Sequence, residues 1–118
     1  FLLFLLFLLP WEFWVLYLNR KNEVIKKENI SKGGVSGTIA DSKIIFKSAI
    51  EQLASAIILC HNHPSGSLTP STADLSLTKK LKETGIILDT PVLDHLIIGE
   101  KDYFSFADEN LMSEWFNE

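Results

Sequence analysis

ASAIILCHNHPSGSLTPSTAD, residues 54–74, holds the change from one kind of local structure to another. Its first part, through about His61, is a short apolar run and reads as a central strand ending near that histidine. NHPSGSLTP breaks the run with prolines and a glycine, so it reads as a loop. Ser71 and Asp74 then have the spacing of a helix-starting capping box, with Asp in place of the usual Glu or Gln. A helix is predicted from near Ser71 to before Gly85, with Leu75, Leu77, Thr78 and Leu81 on or near its packed side. A buried strand feeding a helix through a short loop is the unit from which α/β sheets are built.

Outward from that unit the chain supplies the rest of a sheet. WEFWVLYLN, residues 11–19, is rich in aromatic and β-branched residues and reads as a strand buried on both faces. Residues 20–23 form a polar turn, and EVIKKENI reads as the second strand of a hairpin. SKGGVSG is an irregular connection. Asp41 and Ser42 can cap a helix running to about Leu53 or Ala54, with Ile45, Ala49, Ile50 and Leu53 sharing its apolar face. Residues 86–88 and 92–98 are further apolar segments, the second a strand. Residues 103–106 read as a last short strand and 109–116 as a terminal turn or helix. The order β-β-α-β-α-β-β predicts an α/β fold, a mixed β-sheet flanked by helices, in one domain over residues 11–118.

A length of 118 residues suits one such domain. The net charge of −4 gives no general pull toward nucleic acid, so DNA is a partner that the charge does not support. The single cysteine, Cys60, excludes a disulfide framework and a zinc site built mainly from thiolates. A reducing, cytoplasmic compartment is the expectation. FLLFLLFLLP, residues 1–10, has nine apolar residues before its proline, against the ~20 that a membrane span needs. No basic residues precede it as in a signal peptide. It is read as a fragment of a buried or interface helix, or as an artefact, and could serve a homodimer as an apolar surface.

Residues 61–74 are also the densest stretch of potential metal ligands. If the strand runs through His61 and His63, alternation points both side chains to one face and Cys60 and Asn62 to the other. Two imidazoles can take two corners of a tetrahedral Zn2+ site, and Asp74, in the first turn of the next helix, can supply a third. A fourth corner left to water is the pattern of a catalytic site. The plainer alternative is that Ser71 and Asp74 only cap the helix and that the histidines are structural; the combination favours a metal. Such a site also needs a proton acceptor. Glu12, Glu23, Glu28 and Glu51 are candidates, and Glu12 stands out because it lies within an apolar run, where a carboxylate must sit at the strand end or find a partner.

His61-x-His63, seven residues, Ser71, two residues, Asp74 resembles the full pattern of the JAMM metalloproteases, the zinc members of the MPN domain group. HNHPSG, PSTAD and LDHLIIG narrow the resemblance to the RadC family of bacterial proteins, over about Glu12 to Leu111. The resemblance implies an MPN domain, similar to the cytidine-deaminase architecture, that cleaves an amide or peptide bond. It implies His61, His63 and Asp74 as zinc ligands and Ser71 as hydrogen-bond donor to the oxyanion. Glu12, in the setting Glu12-Phe13-Trp14-Val15-Leu16, would take a proton from the attacking water and pass it to the leaving amine. The substrate would be a peptide or protein. RadC proteins usually carry an N-terminal helical region that these residues lack, so the chain is read as a fragment or a short homologue. Insertions that grip ubiquitin have no evident room.

Other groups carry less. His95 lies in an apolar strand and reads as a satisfied core histidine or one behind a ligand; Asp94 could orient a metal-bound histidine. Cys60 reads as core, and Lys79, Lys80 and Lys82 as a solvated helix face. The letters HNH do not make an HNH nuclease, and a zinc deaminase would need cysteines that are missing. The alternatives to a hydrolase are a DNA-repair-associated module or an interaction module with a vestigial metal site.

Overall fold

The computed structural model describes residues 12–32, 40–63 and 66–112. The apolar segment 1–10, most of the glycine-rich connection and the end of the chain from residue 113 lie outside the described residues. The elements are β1 (Glu12–Leu18), β2 (Val24–Lys32), α1 (Ser42–Glu51), β3 (Ala56–Asn62), α2 (Thr72–Ile87), β4 (Val92–Ile98) and β5 (Tyr103–Ser105). The five strands form one mixed sheet in the order β2-β1-β3-β4-β5, so β2 and β5 are its rims. Only β3 and β4 run parallel; the other neighbours are antiparallel. A parallel neighbour cannot be reached by a tight turn, and α2 supplies the crossover. This is the α/β architecture expected of an MPN domain.

The polar turn between β1 and β2 closes on Asn19, whose side-chain oxygen accepts from the backbone N–H groups of Lys21 and Glu23 at 2.9 and 3.0 Å. One sheet face is fully buried: Phe13, Val15 and Tyr17 of β1, Ile57 and Leu59 of β3 and Ile97 of β4 pack with Ile45, Phe46 and Ala49 of α1 and Leu81 of α2. Tyr17 Oη donates to the Ile45 carbonyl at 3.0 Å and ties α1 to the sheet. The other face holds Cys60 and Ile98, with Trp14, Leu16, Ile58 and Leu96 only partly covered. β1 is therefore fully buried on one side and half-buried on the other, where burial on both had been expected.

Two sequence expectations change. In α1 the packed residues are Ile45, Phe46, Ser48 and Ala49, while Ile50 and Leu53 are exposed. Phe46 takes the place assigned to Ile50, and the helix stops at Glu51, leaving Leu53 in a left-handed turn at φ 50°. α2 runs past Gly85 to Ile87, so residues 86–88 are its exposed last turn and the start of the next connection. Gly85 is inside the helix because a Cβ there would run into the Thr90 carbonyl oxygen of the returning chain. The Thr90 N–H donates to the Gly85 carbonyl at 2.7 Å, which fixes that close approach. No helix among the described residues is long and apolar enough to cross a membrane.

Cys60 is fully buried, and burial, with a smaller contribution from the Asp94 carboxylate, pushes its thiol up to about 12. A thiolate is the reactive species. A disulfide reagent is therefore expected to leave the folded protein unlabelled and to label one thiol per chain in denaturant; rapid labelling of the native protein would show that β3 opens readily.

Candidate metal centre

β3 ends at Asn62, directly beside the start of β1: Phe13 pairs with His61 across the ladder. His61 is completely buried, with Phe13 stacked on its ring at 5.8 Å between centroids. His63 follows just past the strand end. The loop returns the chain so that Asp74, in the first turn of α2, faces both rings.

The three residues form a small triangle, with one oxygen of the Asp74 carboxylate toward each ring. His61 Nε2 lies 3.0 Å from His63 Nε2 and 3.3 Å from Asp74 Oδ1, and His63 Nε2 lies 3.1 Å from Asp74 Oδ2. A tetrahedral zinc with ~2.0–2.1 Å bonds spaces its ligands about 3.3 Å apart. These three residues, and no other group among the described residues, offer ligand atoms close enough together to hold a metal ion. His63 Nδ1 lies 2.8 Å from the Ser67 carbonyl, which can only accept, so that nitrogen carries a proton and Nε2 is the one turned to Asp74.

The carboxylate that caps the helix is also the one turned toward the two histidines. Ser71 Oγ accepts from the Asp74 N–H at 3.0 Å, and Asp74 Oδ2 accepts from the Ser71 N–H at 2.8 Å, closing a reciprocal capping box. The cap aims the carboxylate at the histidines. Burial pushes the Asp74 carboxyl up, but the adjacent His61 and His63 rings and the Ser71 backbone N–H outweigh it and hold the group well below the usual carboxylate range. The Asp74 hydrogen bond in turn raises His63, against the opposing effect of burial. A site with an anionic corner and two imidazoles within reach fits a divalent cation.

Glu12 stands at the start of β1, buried, and is not among the grouped ligand atoms. Its backbone N–H donates to Asn62 Oδ1 at 2.7 Å, and its carboxylate accepts from Trp14 Nε1 at 2.7 Å. The partner required for a carboxylate in an apolar run is thus the indole two residues on. Asn62, one residue before His63, was not singled out in the sequence; it locks the β1 start to the β3 end. Ser71 is exposed, and its hydroxyl acts as acceptor in the cap, leaving its proton to donate.

Asp94 does not orient a histidine ring. It accepts from the His95 N–H, from Ser105 Oγ at 2.6 Å and from the Ala107 N–H at 2.9 Å, so it clamps β5 and the turn after it onto β4. The histidine neighbour is His95 itself, fully buried, with Nε2 2.7 Å from His61 Nδ1 and Nδ1 2.5 Å from Thr78 Oγ1. Burial lowers His95 well below the ordinary imidazole value, and the nearby His61 adds to this. Thr78 had been placed only on the packed side of its helix. Its position four residues after Asp74, one turn along the same face, was the available signal.

The RadC-like JAB domain family matches residues 11–111. A UPF0758 protein of Flavobacterium johnsoniae is 57% identical over 100 residues, covering 85% of this chain and 44% of that protein. A UPF0758 protein of Porphyromonas gingivalis is 51% identical over 102 residues, covering 86% and 45%. Another, from Staphylococcus haemolyticus, is 48% identical over 97 residues, covering 82% and 42%. The chain thus spans less than half the length of these curated relatives. With the family matched from the first residue of the β1 region to the turn after β5, this chain belongs to the RadC-like JAB domain family.

Proposed function

We propose that this domain is a zinc-dependent metallohydrolase that cleaves an amide or peptide bond in a peptide or protein substrate. The observation that carries the reading is the triangle of His61, His63 and Asp74, whose facing atoms lie 3.0, 3.1 and 3.3 Å apart pair by pair. These three residues would hold the metal and leave a position open. Zinc, when bound, supplies Lewis-acid polarisation of the scissile carbonyl and makes water acidic enough to lose a proton near neutral pH.

The chain's own groups would do the rest. Glu12 takes a proton from the attacking water and returns it to the leaving amine. Its place at the β1 start, tied to the end of β3 through Asn62, supports that role. Ser71 would donate its unused hydroxyl proton to the oxygen on which charge develops. A capped, fixed serine has little to reorganise as that charge appears.

Zinc-loaded protein incubated with a mixture of peptide and isopeptide substrates should release new amino termini, read by mass spectrometry. In Glu12→Gln the rate should fall by about 10²- to 10⁴-fold, with zinc content unchanged. Equal rates in both proteins would remove Glu12 from the chemistry. No cleavage of any substrate by the zinc-loaded wild type would overturn the hydrolase reading.

A further inference from the structure

We propose that Thr78 and His95 are positioning residues that set the ring tautomer of His61, holding its proton on Nδ1 so that Nε2 is the nitrogen left for a metal. The consequence for metal uptake rests on the metal-site reading above; the tautomer itself does not.

Protons can be assigned one contact at a time along this chain of groups. Thr78 Oγ1 lies 2.7 Å from the Asp74 carbonyl oxygen. Two oxygens at that distance need a proton between them, and a peptide carbonyl has none to give. The hydroxyl therefore donates to Asp74. It has a single proton, so toward His95 Nδ1, 2.5 Å away, it can only accept, and His95 Nδ1 carries the hydrogen. His95 is fully buried, with the Phe106 ring stacked on it and the Phe13 edge against it, and neither of its nitrogens meets a carboxylate. An imidazolium in that setting would be a buried charge without a counterion, so the ring holds one proton. Its Nε2 is then a lone pair. That lone pair faces His61 Nδ1 at 2.7 Å, so His61 Nδ1 is the donor. With its proton on Nδ1, His61 has Nε2 as the nitrogen left to take a metal beside the other two ligands.

The two histidines of the triangle are thus fixed by separate devices. His63 uses a backbone carbonyl in the adjoining loop. His61, deep in the sheet, uses a relay that starts at the carbonyl of Asp74, runs through α2 and β4, and ends on β3. Partners behind a metal-bound histidine fix its tautomer and orientation in just this way. The relay begins and ends on two members of the same triangle, so the first turn of α2 and the end of β3 are oriented together.

The test uses two substitutions at one position. Thr78→Val keeps the shape and removes the hydroxyl; Thr78→Ser keeps the hydroxyl. Long-range ¹H–¹⁵N spectra of the histidine rings are recorded on zinc-free protein at alkaline pH, where the rings are neutral. Wild type and Thr78→Ser should show His61 protonated at Nδ1. In Thr78→Val, His95 loses its acceptor and should move its proton to Nε2, turning His61 over to the Nε2–H form. Zinc affinity, measured by competition with a chromophoric chelator, should then drop by about 10- to 100-fold in Thr78→Val and return in Thr78→Ser. His61 protonated at Nε2 in the zinc-free wild type would overturn the proposal, as would a Thr78→Val protein that matches wild type in both spectrum and affinity. Should Thr78→Val fail to fold, the wild-type spectrum still decides. A wild type that takes up no zinc would sink the metal reading, while the zinc-free spectrum would still decide the relay.

Discussion

The double substitution His63→Ala/Asp74→Asn should abolish zinc uptake, where wild-type protein, reloaded and desalted, holds about one zinc per chain. Two of the three donors are lost, and a lone His61 cannot retain the ion through desalting. The fold should survive for a specific reason. Asparagine keeps a side-chain oxygen that can accept from the Ser71 N–H, the bond that Asp74 Oδ2 makes at 2.8 Å, so the start of α2 stays capped. His63 is only partly buried and lies beyond the end of β3, so truncating it leaves the sheet intact. Elemental mass spectrometry gives the zinc count, and thermal melts of the zinc-free proteins check the fold. Zinc retained by the double variant would refute the ligand assignment. Wild-type uptake should also depend on pH. Asp74 raises the pKa of His63, so below that raised value the site holds a proton that zinc must displace. Affinity should therefore climb as pH rises through the His63 transition and level off above it; calorimetry in buffers of different ionisation enthalpy would count the proton released.

Phe13→Ala should cost about 3–5 kcal/mol of folding stability, a large share of the ~5–15 kcal/mol that a domain commands. The ring is almost wholly buried at the middle of the main core. It also covers the flat face of His61 and presents its edge to His95. Removing it leaves a cavity against two imidazoles whose hydrogen bonds assume a dry setting. Urea unfolding followed by tryptophan fluorescence would measure the loss, and metal uptake should weaken along with it. A change under about 1 kcal/mol would mean that the core collapses around the gap, contrary to a tightly packed sheet–helix interface.

The order of elements was legible because it rests on local signals: alternation and apolar runs for strands, Asp41 and Ser71 for helix starts, polar residues for the hairpin turn. Ile50 and Leu53 were misplaced because a short amphipathic helix offers two plausible apolar stripes, and only the neighbouring sheet selects the one with Phe46. Gly85 looked like a helix end because a glycine stop and a glycine required by a crossing backbone read the same in one dimension. At the centre, His61, His63 and Asp74 were legible because they lie within one strand–loop–helix unit. Treating the cap and the ligand as rivals was a mistake of accounting, since a carboxylate has lone pairs enough for both. The Thr78–His95–His61 chain was hidden because His61 and His95 meet only when β3 and β4 pair, across 34 residues of chain. Asp94 was misread for the same reason: its partners lie in the turn after β5.

The two rims of the sheet carry unequal risks of self-association. β5 is three residues long, too short a template for a stray strand to add to with profit. β2 is nine residues long, has a strand partner on one side only among the described residues, and exposes Val24 and Ile25. A rim of that length and character would recruit copies of itself edge to edge. Lys26 and Lys27 follow directly in its middle, and another strand laid alongside would have to strip water from those charges. The two lysines thus act as gatekeepers against aggregation, a task invisible in the folded monomer.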